Sequence, residues 1–212
     1  MLVLDAVTYI HTGQERPYRF DLIAEPGQIT AVSGPSGAGK STLLDLIAGF
    51  IAPASGTIKL DGVDLVPLPP EDRPVSLLFQ SDTLFEHLST ARNVALGLPA
   101  DTPRGEVDRK VAEALAEVGL TGHERQRAAT LSGGQKQRAA LARTLLRARP
   151  VLLLDEPFSA LDDETRGATR ALVRTLTETH GWITLLVSHH ADDVEALASR
   201  RYRIAEGNLT VA

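Results

Sequence analysis

Residues 34–42 read GPSGAGKST, and residues 34–41 match the pattern G-x-x-x-x-G-K-[ST]. The pattern describes a cradle for phosphate. Gly34, Gly37 and Gly39 leave room for backbone N–H groups from Ser36, Gly37, Ala38, Gly39, Lys40, Ser41 and Thr42 to close around anionic oxygens. The Lys40 ammonium is predicted to reach the β- and γ-phosphates of a nucleoside triphosphate, and the Ser41 hydroxyl to ligate Mg²⁺. The helix that follows would aim its positive end at the same charge.

Four further groups complete a candidate site. The run VLLLDE (151–156) reads as a buried strand that delivers Asp155 and Glu156 to the carboxyl end of a sheet, where ligands of open α/β sheets bind. Asp155 is expected to hold Mg²⁺ through water, and Glu156 to orient or deprotonate an attacking water. Gln80 ends the strand PVSLLFQ and is expected to touch Mg²⁺ or that water. His189 ends ITLLVSH and is expected to donate to the γ-phosphate. Alone, a Gln or His at a strand end is usually a surface residue; here three strands end in polar residues suited to one Mg–nucleotide.

A second stretch has the grammar of an anion site. LSGGQ (131–135) places Ser132 as an N-cap and opens a helix with the N–H groups of Gly133 and Gly134, followed by Gln135. One nucleotide loop does not need it.

The elements that must position these groups follow from periodicity. MLVLDAVTYI, YRFDLIAE and QITAVSG read as strands, and STLLDLIAG as a helix stopped by Gly49. GTIKLDGVDL reads as a hairpin turning at Asp61–Gly62, and YRIAEGNLTVA as one turning around Gly207–Asn208. Between about residues 90 and 149 strand patterns vanish and Ala, Leu, Arg and Glu recur at helical spacing. A helix is expected over about 163–179. Strands alternating with helices predict an α/β fold with a mostly parallel sheet. The expected organisation is one domain over 1–212, with a core of 1–89 and 150–212 and a helical insertion at 90–149.

Composition narrows the function classes. The net charge is −5 with no basic block, which argues against nucleic-acid partners. There are no cysteines, which excludes disulfides and thiolate chemistry. The N-terminus makes a poor signal peptide, and no apolar run has the length of a bilayer span. Any membrane role is therefore expected to run through a partner.

In order, GPSGAGKST, LLFQ, LSGGQKQR, VLLLDEPFSALD and LLVSH resemble the motif set of ATP-binding-cassette (ABC) ATPases over nearly the whole chain. The resemblance implies a P-loop core with a mixed, mostly parallel sheet, an antiparallel N-terminal β subdomain and an inserted α-helical subdomain. It implies ATP and Mg²⁺ as ligands, and a role for LSGGQ: in such cassettes this stretch of one subunit covers the ATP held by the other. A two-fold homodimer would sandwich two ATP molecules, with Ser159 and Asp162 of SALD linking the sites. An aromatic residue near the N-terminus is expected to stack on adenine. Alignment of VTYIH puts His11 there, and strand alternation would place Tyr9 on the same face, so either residue could serve. RAATLSGG lacks a proline often found before the family's signature stretch.

A transporter motor fits the resemblance best, with membrane-spanning permease subunits as separate chains, a periplasmic binding protein beyond them, and the chain peripheral to the cytoplasmic face of a bacterial inner membrane. Only about 50 residues separate Gln80 from the signature, too few for the coiled-coil arms of chromosome-organising cassettes. TLFEHLSTARNV resembles the importer version of the permease-docking region, with Phe85 and Leu88 either docking residues or packing inside the insertion. Within the family the chain is most similar to ATP-binding subunits of bacterial thiamine importers, on STLLDLIAGFIAPASGTIKLDGVD, PPEDRPVSLLFQSDTLFEHLSTARNVALGL and DEPFSALD, and on the lack of an added C-terminal regulatory domain. The implied cargo is thiamine and its phosphorylated forms. Molybdate, iron, sulfate and polyamine importers share DEPFSALD and stay open as alternatives, as does a soluble non-transport ABC ATPase.

Overall fold

The computed structural model describes residues 1–78, 84–159 and 161–212. It divides into two compact units, one built on a sheet (1–77, 150–156 and 173–212) and one built of helices (78–149 and 157–172).

Among the described residues ten strands form one sheet, in the order β5-β4-β1-β2-β10-β9-β3-β8-β7-β6. They are β1 (Leu2–Tyr9), β2 (Tyr18–Ala24), β3 (Gln28–Ser33), β4 (Ser55–Leu60), β5 (Val63–Asp64), β6 (Val75–Leu78), β7 (Val151–Asp155), β8 (Ile183–Val187), β9 (Arg200–Ala205) and β10 (Asn208–Val211). The N-terminal strands pair antiparallel, β1 with both β2 and β4. The strands that carry the site are parallel: β3 lies beside β8, and β8 beside β7. β7 and β8 are apolar and buried on nearly every residue, as parallel strands covered on both faces require. β2 alternates instead, turning Tyr18, Phe20, Leu22 and Ala24 inward.

The first hairpin turns at Asp61–Gly62, both left-handed, as the DG pair demands. The second turns at Glu206–Gly207, one residue before the expected position, because those two are the left-handed pair and Asn208 already faces Ala205 across the ladder. In β1 a bulge at Ala6, itself left-handed, shifts the register between Leu4 and Val7. Inward positions therefore run Leu2, Leu4, Val7 instead of keeping one parity.

Helix α1 (Lys40–Ala48) buries Leu43, Leu46 and Ile47 in the core cluster with Leu153, Leu185 and Val187. Each such side chain contributes about 2 kcal/mol of burial. Its C-terminus is closed twice. Gly49 caps it in the left-handed conformation. Arg73, only 2% exposed, donates from Nη1 to Leu46 O (2.6 Å) and Ile47 O (2.9 Å), and from Nε to Leu68 O (3.0 Å). A cation at this end also opposes the helix dipole. Arg73→Ala would strand two buried carbonyls and open a cavity. We expect a loss of about 3 kcal/mol, read as a fall of roughly 6–12 °C in Tm. A change below about 1 kcal/mol would mean the guanidinium is not what closes this helix.

The helical unit packs α2 (Thr90–Ala95), α3 (Arg104–Glu117) and α4 (Gly133–Arg147) around Val94, Val111, Leu115 and Leu141. A fully buried Asn93 fixes the segment before α2. Its Oδ1 accepts from Phe85 N (2.7 Å) and its Nδ2 donates to Phe85 O (3.0 Å) and Ser89 O (3.1 Å). With its backbone so held, the Phe85 side chain is 52% exposed, while Leu88 is half-buried. Of helix α5 (Asp163–His180), residues up to 172 belong to the helical unit and the rest to the sheet unit.

Candidate nucleotide site

In the sheet unit, β3 runs out at Ser33 and α1 begins at Lys40, with the glycine loop between them. Gly39 is the N-cap of α1 at φ 106°, in the left-handed region. A Cβ there would lie 2.6 Å from Cε1 of Tyr18, so both conformation and space require glycine. Lys40 folds back over the loop and donates from Nζ to Gly34 O (2.9 Å) and Pro35 O (3.0 Å). Ser36 and Gly37 are exposed, Ala38 is half-buried and Thr42 is buried.

Ser41 Oγ donates to Asp155 Oδ2 across 3.4 Å, joining the start of α1 to the end of β7. Burial raises the Asp155 carboxyl above the usual aspartate range, and the Glu156 charge adds to the rise; the Ser41 bond and Lys40 oppose it. A hydroxyl and a carboxylate short of positive charge, from two elements, suit a hard cation that takes its other ligands from phosphate and water. The residues present therefore fit Mg²⁺. Among the described residues no cluster of three or more His, Cys, Asp or Glu could hold a metal without such help.

Glu156 follows β7 at φ 47°, an uncommon conformation for a glutamate, and is 9% exposed. Its N–H donates to Val187 O (2.9 Å). Its carboxylate accepts from His189 Nδ1 (2.7 Å) and from His189 N (3.1 Å). The His189 ring itself is about half exposed. The turn carrying it is set by Ser188, whose Oγ donates to Asp193 Oδ2 (3.0 Å) and accepts from His190 N (3.1 Å). The parallel order β3-β8-β7 thus brings Lys40, Ser41, Asp155, Glu156 and His189 to one end of the sheet. Gln80 lies outside the described residues.

β1 ends at Tyr9, so strand alternation does not carry His11 to its place. His11 is exposed and its Nε2 hydrogen-bonds Thr42 Oγ1 at 3.1 Å. Tyr9 packs partly against the core, and its ring meets His11 edge-on at 4.8 Å.

The helical unit carries the second stretch. Ser132 Oγ accepts from Gln135 N (3.3 Å), and Gln135 Oε1 accepts from Ser132 N (2.9 Å). This reciprocal capping box starts α4 and commits the Gln135 side-chain oxygen to the chain's own backbone. The N–H groups of Gly133 and Gly134 belong to the first turn, which has no intrahelical acceptors. Gly134 has a further constraint that sequence reading misses: a Cβ there would lie 2.1 Å from Thr165 Cγ2. Asp162 accepts from Thr165 N (2.9 Å) and Thr165 Oγ1 (2.8 Å), bonds that hold its carboxyl below the usual range and cap the first turn of α5.

A family model described as "ABC transporter" matches residues 18–159. The chain belongs to the ABC transporter family, and it is an ATP-binding ATPase. It is 45% identical over 210 residues to the thiamine import ATP-binding protein ThiQ of Escherichia coli (strain K12), covering 99% of this chain and 90% of that one. It is equally similar to the proteins of that name from Shigella boydii serotype 4 (strain Sb227) and Shigella flexneri. Its fold matches a bacterial ABC transporter cassette solved as a dimer, with TM-score 0.83 and 27% identity, over 99% of this chain and 96% of the other.

Proposed function

We propose that this chain is the ATP-hydrolysing motor of a bacterial thiamine importer. The observation that carries the cargo is the 45% identity, nearly end to end, to thiamine import ATP-binding proteins. The chemistry rests on the Glu156–His189 pair beside Lys40 and Asp155. Lys40 exchanges its two carbonyl partners for β- and γ-phosphate oxygens. Ser41, Asp155 and Gln80 would hold Mg²⁺, which would supply positive charge to the bound phosphates. Glu156 accepts a proton from the attacking water as the new P–O bond forms and the bond from the γ-phosphorus to ADP breaks. His189 fixes the Glu156 carboxylate through Nδ1 and presents the rest of its ring to the γ-phosphate. His11 offers an exposed ring to adenine, with Tyr9 behind it.

Two copies close on two ATP molecules, with Ser132, Gly133 and Gly134 of one copy meeting the γ-phosphate of the other. Among the described residues no helix is long and apolar enough to cross a membrane. In this reading the membrane span belongs to separate permease subunits. The chain sits against them at the cytoplasmic face of the inner membrane, exposed Phe85 is part of its docking surface, and a periplasmic thiamine-binding protein delivers the cargo.

The test is uptake of labelled thiamine in a host that depends on external supply. Deleting the gene should abolish uptake, and the wild-type gene should restore it where Glu156→Gln does not. Unchanged thiamine uptake with lost molybdate, iron, sulfate or polyamine uptake would overturn the cargo and keep the motor.

A further inference from the structure

We infer that Tyr18 is a positioning residue for ATP binding, a brace that sets the conformation of the phosphate loop; this rests on the ATPase reading of that loop. Tyr18 opens β2 and is 8% exposed. Its ring stacks on fully buried Phe20 at 5.8 Å, with 10° between the planes, so the core holds it from one side. On the other side it lies against Gly39, so closely that a Cβ at that residue would be 2.6 Å from the ring. Its hydroxyl donates to Gly37 O (3.3 Å) and accepts from Gln14 Nε2 (3.0 Å). Among the described residues, Tyr18 is the one side chain outside the loop and α1 that hydrogen-bonds the backbone of residues 34–39.

That contact has a direct consequence for phosphate. Gly37 is left-handed and exposed, with open space where a Cβ would lie, so its peptide is held by the Tyr18 hydroxyl on one side and the Ala38 N–H bond to Pro35 O on the other. A trans peptide points its carbonyl and the following N–H in opposite directions. With Gly37 O drawn to the Tyr18 hydroxyl, the Ala38 N–H faces the loop's own Pro35 O at 3.2 Å. A turned-over peptide would present a carbonyl where the loop needs a donor, and a carbonyl repels phosphate. His11 meets Tyr18 edge-on at 5.9 Å and reaches Thr42, so the aromatic group touches the phosphate loop and the first turn of α1. Nothing in the strand's alternating pattern distinguishes Tyr18 from an ordinary core residue.

The experiment measures Kd, KM and kcat for MgATP and MgGTP on the full chain. Tyr18→Phe keeps the ring and removes the hydroxyl. It should raise Kd and KM about fivefold for both nucleotides alike, because the defect lies at the phosphates, and leave kcat within about twofold. The apo Tm should fall by only about 2–4 °C, the worth of the lost hydroxyl bonds, which separates positioning from general destabilisation. Tyr18→Leu, which frees the space beside Gly39, should raise Kd further. Wild-type Kd and KM in Tyr18→Phe would overturn the proposal, as would a loss confined to ATP, which would place Tyr18 at the base. Lys40→Ala in the same assay separates the two readings: if that variant hydrolyses ATP normally, the site assignment fails, whatever Tyr18 does.

Discussion

Glu156→Gln is expected to bind MgATP with near-normal affinity and to hydrolyse it about a thousandfold more slowly. The substitution is nearly isosteric. The amide oxygen can still accept from His189 Nδ1 and His189 N, bonds that help to place the carboxylate. The left-handed backbone at φ 47° costs the two side chains about the same. What the amide lacks is a basic lone pair to take the water's proton while the P–O bond forms. Because binding contacts survive and turnover does not, the two-ATP dimer should accumulate. Light scattering of the variant with and without MgATP reads this. A monomer in both conditions, at protein concentrations well above those of weak self-association, would count against the sandwich. Near-wild-type turnover would remove Glu156 from the role of base.

Lys40→Ala is expected to lower kcat/KM by at least about a thousandfold, the scale of several kcal/mol of lost transition-state charge stabilisation. Its ammonium bonds Gly34 O and Pro35 O, so its loss also releases both carbonyls that it ties down. Kd for MgATP should rise along with the loss of turnover, in contrast to Glu156→Gln. Stopped-flow binding and steady-state hydrolysis on the two variants together separate a binding defect from a chemical one. Normal hydrolysis by Lys40→Ala would exclude residues 34–42 as the phosphate site.

The parts of this protein visible in its sequence are those fixed within a few residues. GPSGAGKST dictates a loop between strand and helix because its glycines and the helix start are contiguous. Asp61–Gly62 dictates its hairpin, and Ser132 with Gln135 dictates the capping box, for the same reason. The second hairpin shows the margin of error. Glu206 adopts the left-handed conformation that a reader of EGN assigns to Asn208, since the ladder partner Ala205 already claims Asn208. The bulge at Ala6 has no residue-type signal at all, and it resets the face on which every later residue of β1 lies.

Function class was also legible, because an ordered motif set identifies chemistry without requiring distances. Distances were not. Glu156 and His189 are separated by 33 residues, and they touch because β7 and β8 pair in parallel with Asp155 opposite Val187. Tyr18 on Gly39, Arg73 on the end of α1 and Thr165 against Gly134 are contacts of the same kind. Each is decided by which surfaces exclude water against one another, a property of the packed chain and not of any segment. The sequence by itself determined which residues are candidates for the phosphate chemistry, since local backbone geometry and side-chain type suffice to nominate them. Only the tertiary structure decided which side chains hold them in place, since that depends on burial of apolar surface between elements far apart in the chain.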